Sequence, residues 1–453
     1  PVSIQARRRT PGVGGMFYPD KNKKYVRIRQ NHRNYQQEMQ QKRSLRRVVI
    51  ILVIAAAVGG SIFLGLPQKA VNLAMGRLGG LSLGQWELPG FGSHKAEEAR
   101  EPQQKAVEVA EEVVEEEEPE PASLVFVGDV ELSEAVQQNY DEVGVEGIVS
   151  KGLHELLTDA DLTVIHHEFC ISDQGTAEVS QPAARVSPGY VYALTDLGVN
   201  VASLANNHIL DYGSQALLDT INYLNSAGIN HMGAGNSMDE AARLILREEN
   251  GIRFGFLACS HMIPSTNWDV RNAQPGLFTC YDPAELLSRV EDASGMCDYL
   301  FVILHWGVKG STSLESYQTG LAHSLVDAGA DAVIGSHPRV LQRVEYYNGR
   351  PIFYSLGNFI SGQPIDQTVA LTAVAEPVEE TAEGEAAEGE SAEEEAEPVK
   401  NIRFTLVPAY SEEAVTRLAT ESEDVGKSSR ILDSLRNLSP NVNIAEDGTI
   451  TER

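Results

Sequence analysis

The sequence predicts an α/β domain preceded by one transmembrane helix, and three observations predict it. Strand-like apolar runs alternate with helical periodicity between residues 122 and 410. Side chains able to bind a metal follow almost every one of those runs. A single uncharged stretch near the start is long enough to cross a bilayer.

The strand runs fall at 124–127, 162–165, 199–204, 300–304 and 332–334. They lead, in order, to Gly128-Asp129, to His166-His167-Glu168, and to Asn206-Asn207-His208 with Asp211 and Gly213. The last two lead to His305-Trp306-Gly307 and to Gly335-Ser336-His337-Pro338. Residues just past the carboxyl ends of strands converge on one crevice in open α/β sheets, so five such motifs predict a single site. Helical patterns at 215–226 and 314–328 supply the alternation, and 428–438 reads as one more helix. No internal repeat is visible.

Charge divides the chain. Residues 1–47 hold 13 Lys and Arg against two acidic residues, +11, whereas the whole chain carries −28. Residues 48–66 contain no charge and as a helix would extend about 28 Å, the thickness of a hydrocarbon core. Arg43, Arg46 and Arg47 stand directly before this stretch. The positive-inside rule then leaves 1–47 as a basic cytoplasmic tail able to lie on anionic lipid. It puts everything after the 48–66 anchor outside the cytoplasm. Residues 67–121 read as an acidic linker, because 97–120 alone contain 11 glutamates and cannot bury enough apolar surface to fold. A second acidic segment, 376–398, lies between strand-like runs at 368–374 and 402–407 and reads as a loop inserted in the 122–410 domain. Residues 411–453 read as a polar C-terminal segment.

Several functions are excluded. The acidic domain is unsuited to nucleic acid. Gly233-Ala234-Gly235 lacks the Gly-Lys-Thr that would make a phosphate loop. Ser336 and Ser355 lack a nucleophile elbow. The four cysteines (Cys170, Cys259, Cys280, Cys297) show no Cys-x-x-Cys spacing and are expected as buried thiols. What remains is metal chemistry. A divalent cation that activates water needs carboxylate and imidazole ligands with one position left open. Asp129, Glu168, Asn207, His305 and His337 supply that mixture, which suits Mn, Zn or Fe.

"LANNHILDYG" at 204–213, "GAG" at 233–235, "DAVIGSHPRVLQ" at 331–342 and "YSLGNF" at 354–359 resemble the CapA family of poly-γ-glutamate capsule synthesis proteins. The resemblance covers about 123–408. It implies the calcineurin-like metallophosphoesterase fold, a sandwich of two β-sheets flanked by helices with the metal site at one sheet end. By that resemblance Glu168, Asn207, His305 and His337 hold one cation, His208 is the general acid and Asp211 orients it. An anionic polymer such as poly-γ-glutamate is the implied partner, together with other capsule-synthesis membrane proteins.

The chain departs from the family at the second cation position. Asp129-Val130-Glu131 stands where metallophosphoesterases carry Asp-x-His, His166 where the family tends to have Asn, and Lys309 where it usually has Glu. Arg339 stands where Gly-x-His-Pro-His ends in His, and a guanidinium has no lone pair to offer a cation. Asp129 with Glu131 or His166 as auxiliary ligands is then too little to hold a second metal tightly. About one cation per chain is expected. Arg339 is expected to reach into the crevice and pair with Asp129 or, with Lys309, to bind an anionic substrate. Two readings follow: a metal-dependent hydrolase, or a non-catalytic binding or assembly component for an anionic polymer.

Overall fold

The computed structural model describes residues 120–177, 183–378 and 400–453. The basic tail, the 48–66 stretch and nearly all of the acidic linker lie outside the described residues. Among the described residues, no helix is long and apolar enough to cross a membrane.

Two sheets carry the domain. The first runs, in spatial order, Val415–Leu418, Ile402–Glu412, Ile365–Ala375, Ala122–Val130, Leu162–His167, Val201–Ser203 and Asn230–Met232. An eighth strand, Asn358–Ile360, pairs only with the end of Ala122–Val130. The second sheet runs Val344–Tyr347, Arg350–Phe353, Ala332–Ser336, Tyr299–His305, Ile252–Ser260 and Ile245–Glu249. The four strands from Ala122–Val130 to Asn230–Met232 are mutually parallel, as are the four central strands of the second sheet. Their carboxyl ends carry the motifs read from the sequence.

Both faces of these strands are buried, which is why they read as unbroken apolar runs. Leu124, Phe126 and Val164 of the first sheet meet Phe254, Phe256, Phe301 and Ile303 of the second in one cluster. The Phe126 and Phe301 rings meet tilted by 50°, with centroids 4.9 Å apart. The alternate residues Val125, Val127, Ile165 and Ala202 face outward against helices. Gly213–Ser226 shows how a helix meets that face: Leu217, Ile221 and Leu224 recur at three- and four-residue spacing and form its buried stripe. On the other side, Leu257, Val302, Leu304 and Val333 pack against Leu286 and Val290 of Ala284–Ser294 and Leu321 and Leu325 of Ser316–Asp327. The layers are therefore helix, sheet, sheet, helix.

The domain does not stop at residue 410. Ile402–Glu412 runs through that position, and Val415–Leu418 adds an edge strand to it. Lys427–Leu438 then lays Ile431, Leu432 and Leu435 into the inter-sheet core, joined by Val442, Ile444 and Ile450 of the hairpin Val442–Ile444 and Ile450–Glu452. Residues 411–453, expected as a polar segment, thus close one end of the sandwich. Their average polarity hides a narrow apolar stripe. The acidic segment leaves and re-enters between paired strands, since Ala375 and Ile402 are register partners.

Candidate metal centre

Asp129 owes its position to Gly128. A Cβ there would fall 1.9 Å from the Gly357 carbonyl oxygen, and this close approach lets the Asp129 N–H donate to that oxygen at 3.0 Å. The Asp129 carboxylate is buried and accepts the His337 backbone N–H at 3.1 Å. Asn206 shapes the next turn: its amide donates to the His167 carbonyl (2.6 Å) while its side-chain oxygen accepts the His208 N–H (2.9 Å). That pins the turn carrying Asn207 to the neighbouring strand.

His305 is the hub. Its Nε2 lies 2.8 Å from Asn207 Oδ1, 3.0 Å from His337 Nδ1 and 3.4 Å from Glu168 Oε1. Donors around a cation at 2.0–2.3 Å stand about 3–3.5 Å apart, so these four fit one cation. Glu168 Oε1 is buried without a hydrogen bond, an arrangement that is costly until a cation satisfies it. A second group, Asp129, His166 and His305, also converges, and His166 Nε2 is likewise buried without a hydrogen bond. His305 is common to both groups, so Asp129 and His166 keep only each other when His305 is committed to the first position. Glu131 belongs to neither group.

Electrostatics favour the same use. Burial, reinforced by the charge of Asp129, raises the Glu168 carboxyl well above its usual range. Burial also pushes Asp129 up to about 6, although the Arg339 charge opposes it. Burial lowers His305 well below the ordinary imidazole value, His337 to about 4 and His166 to about 3. The imidazoles therefore stay neutral with lone pairs available, and the burial of the carboxylates outweighs the one guanidinium beside them.

Sequence reasoning missed Ser336 as a partner of the ligands. Its hydroxyl lies 3.0 Å from His305 Nδ1 and 2.7 Å from His166 Nδ1, so it orients both rings. The only signal was its place between a strand end and His337. His208 Nδ1 lies 2.8 Å from Asp211 Oδ2, and Asp211 is fully buried and also accepts the Ala184 N–H.

Arg339 reaches the crevice, but its partners are Glu168 Oε2 at 3.4 Å and His208 Nε2 at 3.2 Å rather than Asp129. The reason is backbone geometry. His337 and Arg339 both adopt positive φ (93° and 63°), a turn that carries the guanidinium past Asp129, whose carboxylate the His337 N–H already occupies. An N–H donated to Nε2 leaves His208 with its proton on Nδ1, facing Asp211.

Beside the hub opens a cleft of about 310 Å³. Its lining takes in Glu131, Asn207, His208, Lys309, His337 and Arg339, all singled out from the sequence. Met262, Ile263 and Pro264, which complete the lining, were not. Lys309 is exposed and makes no ion pair among the described residues. All four cysteines are buried free thiols.

The chain belongs to the family described as bacterial capsule synthesis protein PGA_cap, whose profile matches residues 123–363, just over half of its length. It is 29% identical over 244 residues to the PGA biosynthesis protein CapA of Bacillus subtilis, covering 53% of this chain and 63% of that one. It is 29% identical over 252 residues to the capsule biosynthesis protein CapA of Bacillus anthracis, covering 54% and 61%. A probable polyglutamine synthesis accessory protein of Mycobacterium tuberculosis is 33% identical over 213 residues, covering 45% and 56%. The match thus spans roughly three fifths of these relatives' own length. Among solved structures, the sulfate thiohydrolase SoxB of Thermus thermophilus superposes loosely, with a TM-score of 0.35 and 12% identity, covering 70% of this chain and 60% of that one.

Proposed function

We propose that this chain is a membrane-anchored, extracytoplasmic hydrolase that acts on the anionic capsule polymer with one divalent cation. The observation that carries the reading is the convergence of Glu168, Asn207 and His337 on His305 Nε2 at the edge of a cleft holding two cationic side chains. Glu168, Asn207, His305 and His337 would hold the ion. When bound, it supplies Lewis acidity and lowers the pKa of water. The chain's own residues do the rest. Lys309 and Arg339 bind the polymer's negative charges, Arg339 as a planar fork and Lys309 as a mobile point charge. Asp211 fixes His208 so that its Nε2 faces the cleft, where it exchanges a proton with the reacting group once Arg339 turns to the substrate. The names of the relatives favour a capsule polymer of glutamate. The uncharged 48–66 stretch supports the anchor, and the positive charge before it supports the orientation.

A second reading, a non-catalytic polymer-binding component, draws on one observation. Arg339 sits on both Glu168 and His208, the carboxylate and imidazole a hydrolase most needs. One experiment separates the two: purified full-length chain, loaded with Mn, Zn or Fe, is incubated with poly-γ-glutamate and with generic phosphodiesters. Cation-dependent shortening of the polymer supports the hydrolase. Tight binding without any cleavage establishes the assembly role instead.

A further inference from the structure

His208 and Asp211 stand on a turn between a strand and a helix, and a turn keeps its place only through what it bonds to. Cys170 is where those bonds converge. It opens the short strand Cys170–Ile171, two positions past the candidate ligand Glu168, and is fully buried. Its Sγ lies 3.0 Å from the Ile209 carbonyl oxygen and 3.5 Å from that of His208, so one thiol proton serves two carbonyls of the turn. Its backbone holds the other side of the pair. The Cys170 N–H donates to the Ala184 carbonyl at 3.0 Å, and the Ala184 N–H donates to Asp211 Oδ2 at 2.9 Å. That is the oxygen that meets His208 Nδ1. Arg185, the register partner of Cys170, lays its guanidinium 4.0 Å from the centre of the Tyr212 ring. Gly175 closes the embrace, since a Cβ there would fall 2.0 Å from the Tyr212 carbonyl oxygen.

We infer that Cys170 is a positioning residue for the His208–Asp211 pair, tying its turn to the strand end that bears Glu168. The imidazole that exchanges the proton and the candidate ligand then keep a fixed separation. The inference rests on the proposed role of His208 in proton exchange and adds a residue that touches neither substrate nor cation. A cysteine that merely filled core space could be replaced by any apolar side chain of similar size. A positioning cysteine cannot, because valine brings no donor to the two carbonyls, whereas serine keeps one.

Full-length chain labelled with ¹⁵N-histidine reports on the pair directly. The two ring nitrogens of a fixed tautomer give well-separated signals, and those of a ring exchanging between tautomers draw together. His208→Gln assigns the resonances. In the unmodified chain His208 should show one tautomer, protonated on Nδ1. Cys170→Val should draw its two signals together, and Cys170→Ser should leave them apart. Cys170→Ala, which also lacks a donor but cannot overfill the space, repeats the test should the valine variant not fold. On poly-γ-glutamate, loss of the donor should lower kcat by up to about a hundredfold and leave KM in place, with serine restoring the rate. His208 signals in the valine or alanine variant identical to those of the unmodified chain overturn the positioning role and leave the hydrolase standing. A mixture of tautomers already present in the unmodified chain overturns the proposed proton exchange through His208 as well.

Discussion

Arg339 and Glu168 face each other across the crevice, with the guanidinium Nη2 3.4 Å from Glu168 Oε2 while the other carboxylate oxygen points to His305. Glu168 therefore presents one oxygen to the candidate cation position and the other to a covalently held positive charge. A carboxylate that could span two metal ions instead spans one ion position and an arginine.

That arrangement fixes a stoichiometry. The unmodified chain should bind about one divalent cation, and Arg339→His, which removes the built-in charge and adds an imidazole, should move the count toward two. Elemental analysis of purified protein gives the number. Two equivalents in the unmodified chain would show that Asp129 and His166 hold an ion without help.

Ser336 should matter for affinity rather than fold. Removing the hydroxyl shared by His305 and His166 frees both rings to turn, and loss of such an orienting partner typically costs 10- to 100-fold in metal affinity. Ser336→Ala should weaken zinc binding by that order in a competition titration. An unchanged affinity would mean that packing alone orients the rings.

The buried carboxylates make cation binding depend on pH. Asp129 has a folded pKa of about 6 against an ordinary 3.8, so its contribution to the stability of the metal-free chain is full below about 3.8 and lost as pH rises through about 6. His166 and His337 shift downward, so their contribution is present above about 6.5 and lost as pH falls toward 3 to 4. Protons thus compete with a cation at the carboxylates and not at the imidazoles. The rise in melting temperature produced by zinc should be larger at pH 7.5 than at pH 5, and an equal rise at both would place the ion away from Glu168 and Asp129.

The closing helix can be tested separately. Leu435 is 1% exposed in the inter-sheet core, and Leu435→Ala should destabilise the chain by about 2–5 kcal/mol in denaturant unfolding. Deleting 411–453 should yield insoluble protein. A soluble, cooperatively folding truncation would show that the two sheets cohere without it.

The proposed membrane anchor and its orientation can be tested by proteolysis. Protease added to intact spheroplasts should remove 67–453 and spare the basic tail. A domain that survives until the membrane is permeabilised reverses the proposed topology.

How much of this was legible in the sequence depended on distance along the chain. Asp129, Glu168, Asn207, His305 and His337 could be read because each lies at or just past the carboxyl end of a strand, and parallel strands of one sheet end at one edge. That His305 lies at the centre of the cluster could not be read, because it depends on how two separate sheets face each other. The Met262–Pro264 lining follows a strand as well, but its side chains carry no chemistry that marks them. Arg339 was recognised as a departure, yet its partner was not, since the positive φ of two non-glycine residues sends it elsewhere. The hairpin near residue 450 stayed hidden because its strands are only three residues long.

Glu168 and Asn207 come from one sheet, and His305 and His337 from the other. An ion held by all four would be a rivet through both layers, reinforcing an edge that the His337–Asp129 and Ser336–His166 hydrogen bonds already cross. Chelation should then be felt beyond the crevice, as faster amide exchange along the strand ends of both sheets together. Loading with metal would be a maturation step for the whole domain, and scarcity of the ion in the surroundings would set how much of the protein is rigid as well as how much is active.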